Sequence, residues 1–228
     1  QLAGHRYDRA IDRGNRRRHH ETSRQLGTDN MTKLVLASAS WARSEMLRNA
    51  GVDFAVQPAR VDEAAIKEGM QADGAPPVDA AQALADLKAM RILPEEADAL
   101  VIGADQILEC DGVWFDKPES LEDARNQLET LSGRTHHLHT AAAVVKEGAV
   151  IWREATDVSL TMRTLSATFI ADYLAAEGEA VLQSVGAYQI EGRGAQLFAG
   201  LRGDFFSILG LPLLPLLGFL RGHGVVPA

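Results

Sequence analysis

Apolar positions along this chain come in short unbroken runs, and between the runs they recur with helical spacing. Lys33–Ala37 carries Leu34, Val35 and Leu36 in succession, the pattern of a strand buried on both faces. Small residues follow at Ser38-Ala39-Ser40; Trp41–Ala50 then spaces Met46, Leu47 and Ala50 as a helix does and stops at Gly51. Phe54–Val56 predicts a second strand, and Ala80–Leu93 a helix closed by Pro94. Leu100–Leu108 predicts the central strand, with a type I′ hairpin at Asp111-Gly112 leading into Val113-Trp114-Phe115. Ser120 predicts the cap of a helix over 121–131, with Asp123 at capping-box spacing. His136–Val145 and Ala149–Met162 pair as a long hairpin across Glu147-Gly148, and Ser166 caps a helix over 167–176. The stretch 186–210 is punctuated by glycine and predicts short strands. The longest apolar run, Ile208–Leu220, is broken by Pro212 and Pro215 and predicts a core strand, then a buried helix starting at Pro212. The order of elements predicts an α/β fold: a curved mixed β-sheet flanked by helices.

Composition changes this picture mainly at the ends. The 228 residues, 46% hydrophobic, suffice for one compact domain with a sizeable core. Residues 1–30 differ in kind: seven arginines against four acids, three of the seven histidines, and no apolar periodicity. The expected organisation is a basic head over 1–30, upstream of a natural start at Met31 and without a role in the fold, then one domain over 31–228. The competing reading of the head is a basic arm for nucleic acid or a membrane surface. Without the head, 16 basic and 27 acidic residues leave the body at −11, and the whole chain carries −8. That balance argues against a protein that coats a polynucleotide, but not against a small anionic ligand in a local basic pocket. No apolar run approaches the roughly 20 residues of a spanning helix, so no membrane partner is expected. The single Cys110 excludes an intrachain disulfide and a cysteine-rich zinc site. With no secretory h-region in the head, the cytoplasm is the expected compartment.

Candidate chemistry sits at the ends of the predicted strands. The turn Ser38-Ala39-Ser40-Trp41-Ala42-Arg43 joins a strand to a helix, so free N–H groups, the positive helix end and Arg43 converge as in an anion site. The plainer reading is Ser N-capping beside a surface arginine. Asp105 is an acid near the end of an otherwise apolar strand, costly to bury unless it meets a cation or water. Functional carboxylates occupy such strand ends, and so do structural loop caps. Asp62-Glu63 reads either as ligands of a hard cation or as a helix N-terminal acid pair. Lys88 and Lys117 by themselves read as solvated. His137 and His139 share a strand face that His136 does not, and no carboxylate lies at metal-site spacing, so the triplet is not read as a metal site. Cys110 has no basic neighbour in sequence and is not read as a nucleophile.

These positions resemble the Maf-like proteins. Leu34-Val-Leu-Ala-Ser-Ala-Ser-Trp-Ala-Arg-Ser-Glu-Met-Leu47 is similar to the family's opening, LASxSPRRxELL. Its VIGADT block, DG hairpin and GKP correspond to Val101–Gln106, Asp111-Gly112 and Asp116-Lys117-Pro118. LSGRTH is intact at Leu131–His136. AGAYGIQGxGA corresponds to Val185–Ala195, and GDYYNVVGLP to Gly203–Pro212. The resemblance implies a nucleoside triphosphate pyrophosphatase, with a fold similar to inosine triphosphatases, that hydrolyses NTP to NMP and pyrophosphate with a divalent cation, Mg or Mn. Such proteins are thought to clear non-standard or surplus nucleotides. Some are linked to arrest of septum formation, and a non-catalytic nucleotide-binding regulator of division is the alternative. A homodimer is implied by the family alone. By motif, Ser38, Ser40 and Arg43 lie in the phosphate turn, and Lys88 and Lys117 bind substrate. Asp62 or Glu63 is the early metal-associated acid, and Asp105 is the general base beside the metal.

The departures bear on the base. Trp41, Ala42, Gln106, Ser184 and Glu191 stand where the family commonly has Pro, Arg, Thr, Lys and Gln. Gln106 and Glu191 are nearer the branch that acts on 7-methyl-GTP than the branch that prefers dTTP and UTP. Trp41-Ala42 matches neither. A carboxylate at 191 suits the donor edge of guanine or the cationic 7-methylated ring.

Overall fold

A computed structural model describes residues 33–92, 95–96 and 98–227. The expectation for residues 1–30 and the helix stop at Pro94 lie outside the described residues. The elements are β1 (Leu34–Leu36), α1 (Trp41–Asn49), β2 (Ala55–Val56), α2 (Glu63–Ala72), α3 (Pro77–Ile92), β3 (Leu100–Cys110) and β4 (Val113–Phe115). They continue as α4 (Leu121–Leu131), β5 (Thr135–Lys146), β6 (Ala149–Met162), α5 (Ala167–Glu177), β7 (Phe198–Arg202), α6 (Phe205–Ile208) and α7 (Leu213–Gly222). Seven strands form one mixed sheet in the order β2-β1-β3-β5-β6-β7, with β4 also pairing β3. β2, β1 and β3 run parallel; the other pairings are antiparallel.

Local chemistry accounts for most boundaries. Ser40, Ser120 and Ser166 each accept a backbone N–H with the side chain at a helix start. Asp111 and Gly112, at φ 52° and 83°, turn β3 into β4 with the positive angles of a type I′ hairpin. Four expectations need correction. α2 is foreshadowed only by the helix N-terminal reading of Asp62-Glu63; its one apolar stripe, Ile66 and Met70, is short and only half-buried, with Gly69 beside it. α3 starts at Pro77 rather than Ala80, because proline suits the first helical position. The stretch 186–210 holds only one strand, β7; Val185–Ala187 and Arg193–Leu197 are 3-10 turns. Ile208 ends α6 instead of opening a core strand: Asp204 caps that turn, accepting from Ser207 N–H at 2.8 Å.

Alternation along the strands divides the core. Leu34, Leu36, Leu100, Ile102 and Val144 pack under α1 and α7, with Leu47, Leu216 and Leu220. Further along the same face, Leu108, Leu138 and Leu160 pack under α4 and α5. The opposite face carries Val35, Val101, Ile107 and Ala143 against the alanines of α3. β1 pairs β3 only across Leu100–Ile102, and β4 pairs it only from Leu108. Among the described residues, Gly103–Ile107 therefore has no neighbouring strand on that edge. The gap lies between the two helical clusters, and side chains from both faces of β3 reach one space through it.

Candidate active site

A cavity of about 720 Å³ occupies that gap. Ser38, Ser40, Arg43, Glu63, Lys88, Asp105, Gln106, Lys117 and Glu191 all border it. Asp62 does not. Its Oδ1 accepts the Ala65 N–H at 3.1 Å and caps α2, so of the two readings for this pair the helix cap holds for Asp62, while Glu63 faces the cavity. A second concavity, of about 500 Å³, lies over β5, β6 and β7 and contains none of the predicted site residues.

The turn after β1 is built around Arg43. Ser38 Oγ accepts from Ser40 N–H and from Arg43 Nη1, each at 3.2 Å. Ser40 Oγ accepts from Arg43 N–H at 3.4 Å, and Arg43 Nε donates to Gly210 O at 2.7 Å. The guanidinium is thus fixed at the N-terminal end of α1, where the helix dipole adds to its charge. Burial lowers the Arg43 pKa, and the charges of Asp105 and Glu63 oppose the shift. Lys117 stands at the rim. Burial and the charges of Arg43 and Lys88 pull its pKa below the usual lysine value, against Glu63 and Asp105. Cations held this close gain from an anion placed among them.

Asp105 is 3% exposed. Lys88, reaching in from α3, donates to Asp105 Oδ1 at 2.6 Å and to Glu63 Oε1 at 2.8 Å. Asp105 Oδ2 is buried without a partner. A buried carboxylate oxygen is costly to leave bare, so this atom is the one equipped to meet a water or a cation. A hard divalent cation takes oxygen ligands from one or two carboxylates and completes its shell with water and substrate phosphates. Asp105 and Glu63, on one side of the cavity, fit that requirement. Among the described residues no group of three or more His, Cys, Asp or Glu side chains is arranged to hold a metal alone.

Gln106 leaves β3 on the face opposite Asp105. Its Nε2 donates to Thr140 Oγ1 at 2.8 Å, Ser207 O at 2.9 Å and Ile208 O at 3.1 Å. The amide nitrogen is committed to Thr140 and to the α6 carbonyls. Glu191 is exposed at the rim, and so is Trp41, 66% exposed, at the start of α1. Sequence reasoning missed Tyr188, a buried cavity residue inside the resembling block, whose hydroxyl lies 2.8 Å from Nε2 of buried His136. Of the other histidines, His137 Nδ1 lies 2.9 Å from Asp157 Oδ1 across the hairpin, a carboxylate that linear spacing does not reveal.

The family model described as Maf-like protein matches residues 33–223. A nucleoside triphosphate pyrophosphatase of Granulibacter bethesdensis is 53% identical over 191 residues, covering 84% of this chain and 97% of that protein. One of Paramagnetospirillum magneticum is 51% identical over 190 residues, covering 83% and 98%. A 7-methyl-GTP pyrophosphatase of Brucella abortus is 47% identical over 189 residues, covering 83% and 95%. The five resembling blocks fall inside the matched span, and all but Leu131–His136 contribute residues to the cavity lining; the chain belongs to the Maf-like protein family.

Proposed function

We propose that this protein is a nucleoside triphosphate pyrophosphatase. Water adds to the α-phosphorus, the bond from that phosphorus to the α–β bridging oxygen breaks, and its electron pair leaves with pyrophosphate. The observation that carries the reading is the convergence of Arg43, Lys88 and Lys117 with Asp105, whose Oδ2 is a buried carboxylate oxygen without a partner, on one cavity. A triphosphate carries about four negative charges, and its hydrolysis needs mostly positioning and charge neutralisation. Arg43 and the α1 terminus hold phosphate, and Lys117 closes the rim. Lys88 grips Asp105 by Oδ1, so Oδ2 is the atom that accepts the proton of the attacking water. Glu63 and Asp105 are the residues that would hold Mg²⁺ or Mn²⁺, which when bound supplies further neutralisation of phosphate charge.

On the base side Gln106, whose Nε2 is used within the fold, and the Glu191 carboxylate each have oxygen to offer a ligand as acceptor. Guanine offers N1–H and N2–H₂ to such a pair, and thymine only one N3–H. This supports a guanine-type base, 7-methyl-GTP included, as do the relatives named for it. A site built on such bonds rejects a base that lacks them, because its own polar groups are then left unpaired. Cytoplasmic action is supported by the lone cysteine; a homodimer rests on the family resemblance alone.

Pyrophosphate release from 7-methyl-GTP, GTP, UTP and dTTP, with Mg²⁺ or Mn²⁺ and with chelator, tests the reading. The expected result is metal-dependent turnover, highest for a guanine base, and Glu191→Gln should shift the ranking toward pyrimidines. A wild type that prefers UTP or dTTP overturns the base assignment. Ala42, where the family commonly has a second arginine, favours one other reading, a regulator that binds nucleotide without turning it over. Tight binding of an NTP with no pyrophosphate released under any metal establishes that alternative instead.

A further inference from the structure

The segment Ser184–Glu191 forms one wall of the cavity, and its backbone is held under strain. Ala187 sits at φ 59°, a left-handed conformation that non-glycine residues adopt only when their surroundings enforce it. The surroundings do so from three elements. Gly186 N–H donates to Gln127 Oε1 of α4 at 3.1 Å. The Tyr173 hydroxyl of α5 donates to Ala187 O at 3.2 Å. The Tyr188 hydroxyl meets His136 Nε2 of β5 at 2.8 Å. Gly186, at φ 76°, leaves no room for a side chain, since a Cβ there would stand 2.6 Å from the Tyr188 ring.

His136 is the costly member of this set. It is 0% exposed, and its Nδ1 has no partner. An apolar side chain would fill the same core space without that loss. What the imidazole supplies and an apolar group cannot is a polar contact to the Tyr188 hydroxyl, deep in a cluster with Phe198. We propose that His136 is a positioning residue for nucleobase selection: through Tyr188 it holds Ser184–Glu191 in the single arrangement that presents Glu191 to the base. The inference rests on the assignment of that wall to base recognition. His136 itself touches no substrate.

The test compares kcat and KM for the same four nucleotides in wild type, Tyr188→Phe, His136→Leu and His136→Gln, with Tm measured alongside. Tyr188→Phe and His136→Leu should shrink the kcat/KM ratio between the best and worst nucleotide by roughly tenfold, equivalent to about 1.4 kcal/mol. The loss should fall more on the KM of the best nucleotide than on its kcat. His136→Gln, whose amide can reach the same hydroxyl, should keep most of the ratio. A purely structural role lowers Tm and leaves the ratio where it was. If His136→Leu does not fold, Tyr188→Phe decides, because it removes one oxygen. An unchanged ratio in folded Tyr188→Phe, while Glu191→Gln moves the ranking, overturns this inference and leaves the base wall standing. A wild type with no preference among the four overturns the base wall and this inference with it.

Discussion

Asp105 uses its two carboxylate oxygens differently. Oδ1 is bound by Lys88, which keeps the buried charge paired, while Oδ2 is bare. Asp105→Asn keeps the shape and leaves Lys88 its bond to Glu63, so the fold and nucleotide binding should survive. Turnover should fall by about 10²–10⁴, the usual contribution of a general base. Single-turnover kinetics with a parallel binding titration checks this; wild-type kcat in the variant removes Asp105 from the role. His136 makes a different prediction. Burial, with the charge of His137 added, lowers its pKa from 6.5 to about 4. Between those values the unfolded chain takes up a proton that the folded chain refuses. Stability therefore falls as pH drops through that window, by up to about 3 kcal/mol for this residue. Thermal melts from pH 7 to pH 4 should show the loss. His136→Gln should flatten the slope in part, since burial lowers the His139 pKa in the same direction.

At the scale of elements, the site depends on how closely α3 lies on the sheet. A Cβ on Gly103 would stand 2.0 Å from Ala85 O and 2.8 Å from Ala89 N, both backbone atoms of α3. Only glycine permits that approach, and the approach carries Lys88 to Asp105. Gly103→Ala should push α3 outward, costing about 1–3 kcal/mol of stability as overpacking does. It should also pull Lys88 off the carboxylate. A displacement of 1 Å at a catalytic centre can cost about 10²-fold, so kcat/KM should fall further than the melting temperature alone would suggest. Unchanged activity with a lowered Tm would show that the pair tolerates movement of the helix.

At the scale of the molecule, a chain of net charge −8 gathers Arg43, Lys88 and Lys117 around one cavity, so affinity for an anion is local. Residues 1–30 add seven arginines that the family match, beginning at residue 33, does not include. Their sequence shows no apolar periodicity. Removal of residues 1–30 should leave kcat/KM and Tm unchanged. Weaker substrate binding in the shortened chain would make those arginines part of the site.

What could be read from the sequence was whatever a short stretch decides for itself. Helix caps at Ser120 and Ser166, the hairpin at Asp111-Gly112 and the buried strands are local in origin, and the structure has them where the pattern places them; Ser40 caps α1 as the plainer of the two readings of its turn had it. Asp105 stood out because an acid inside an apolar strand needs a reason. Elements with few apolar residues to bury were lost: α2, whose short stripe is only half-buried, and the 3-10 turns of 185–197. Partnerships were not legible at all. Whether Asp62 or Glu63 faces the cavity depends on which carboxylate caps α2, and both lie next to each other in the chain. The Lys88–Asp105 bond depends on the packing of α3 over Gly103. The amide of Gln106 is turned by carbonyls about 100 residues away, and His136 is explained only by a tyrosine 52 residues on. Local sequence sets backbone conformation and the sign of charge. Which atoms are left unpaired, and so free for chemistry, is settled only when distant segments pack and use up the rest.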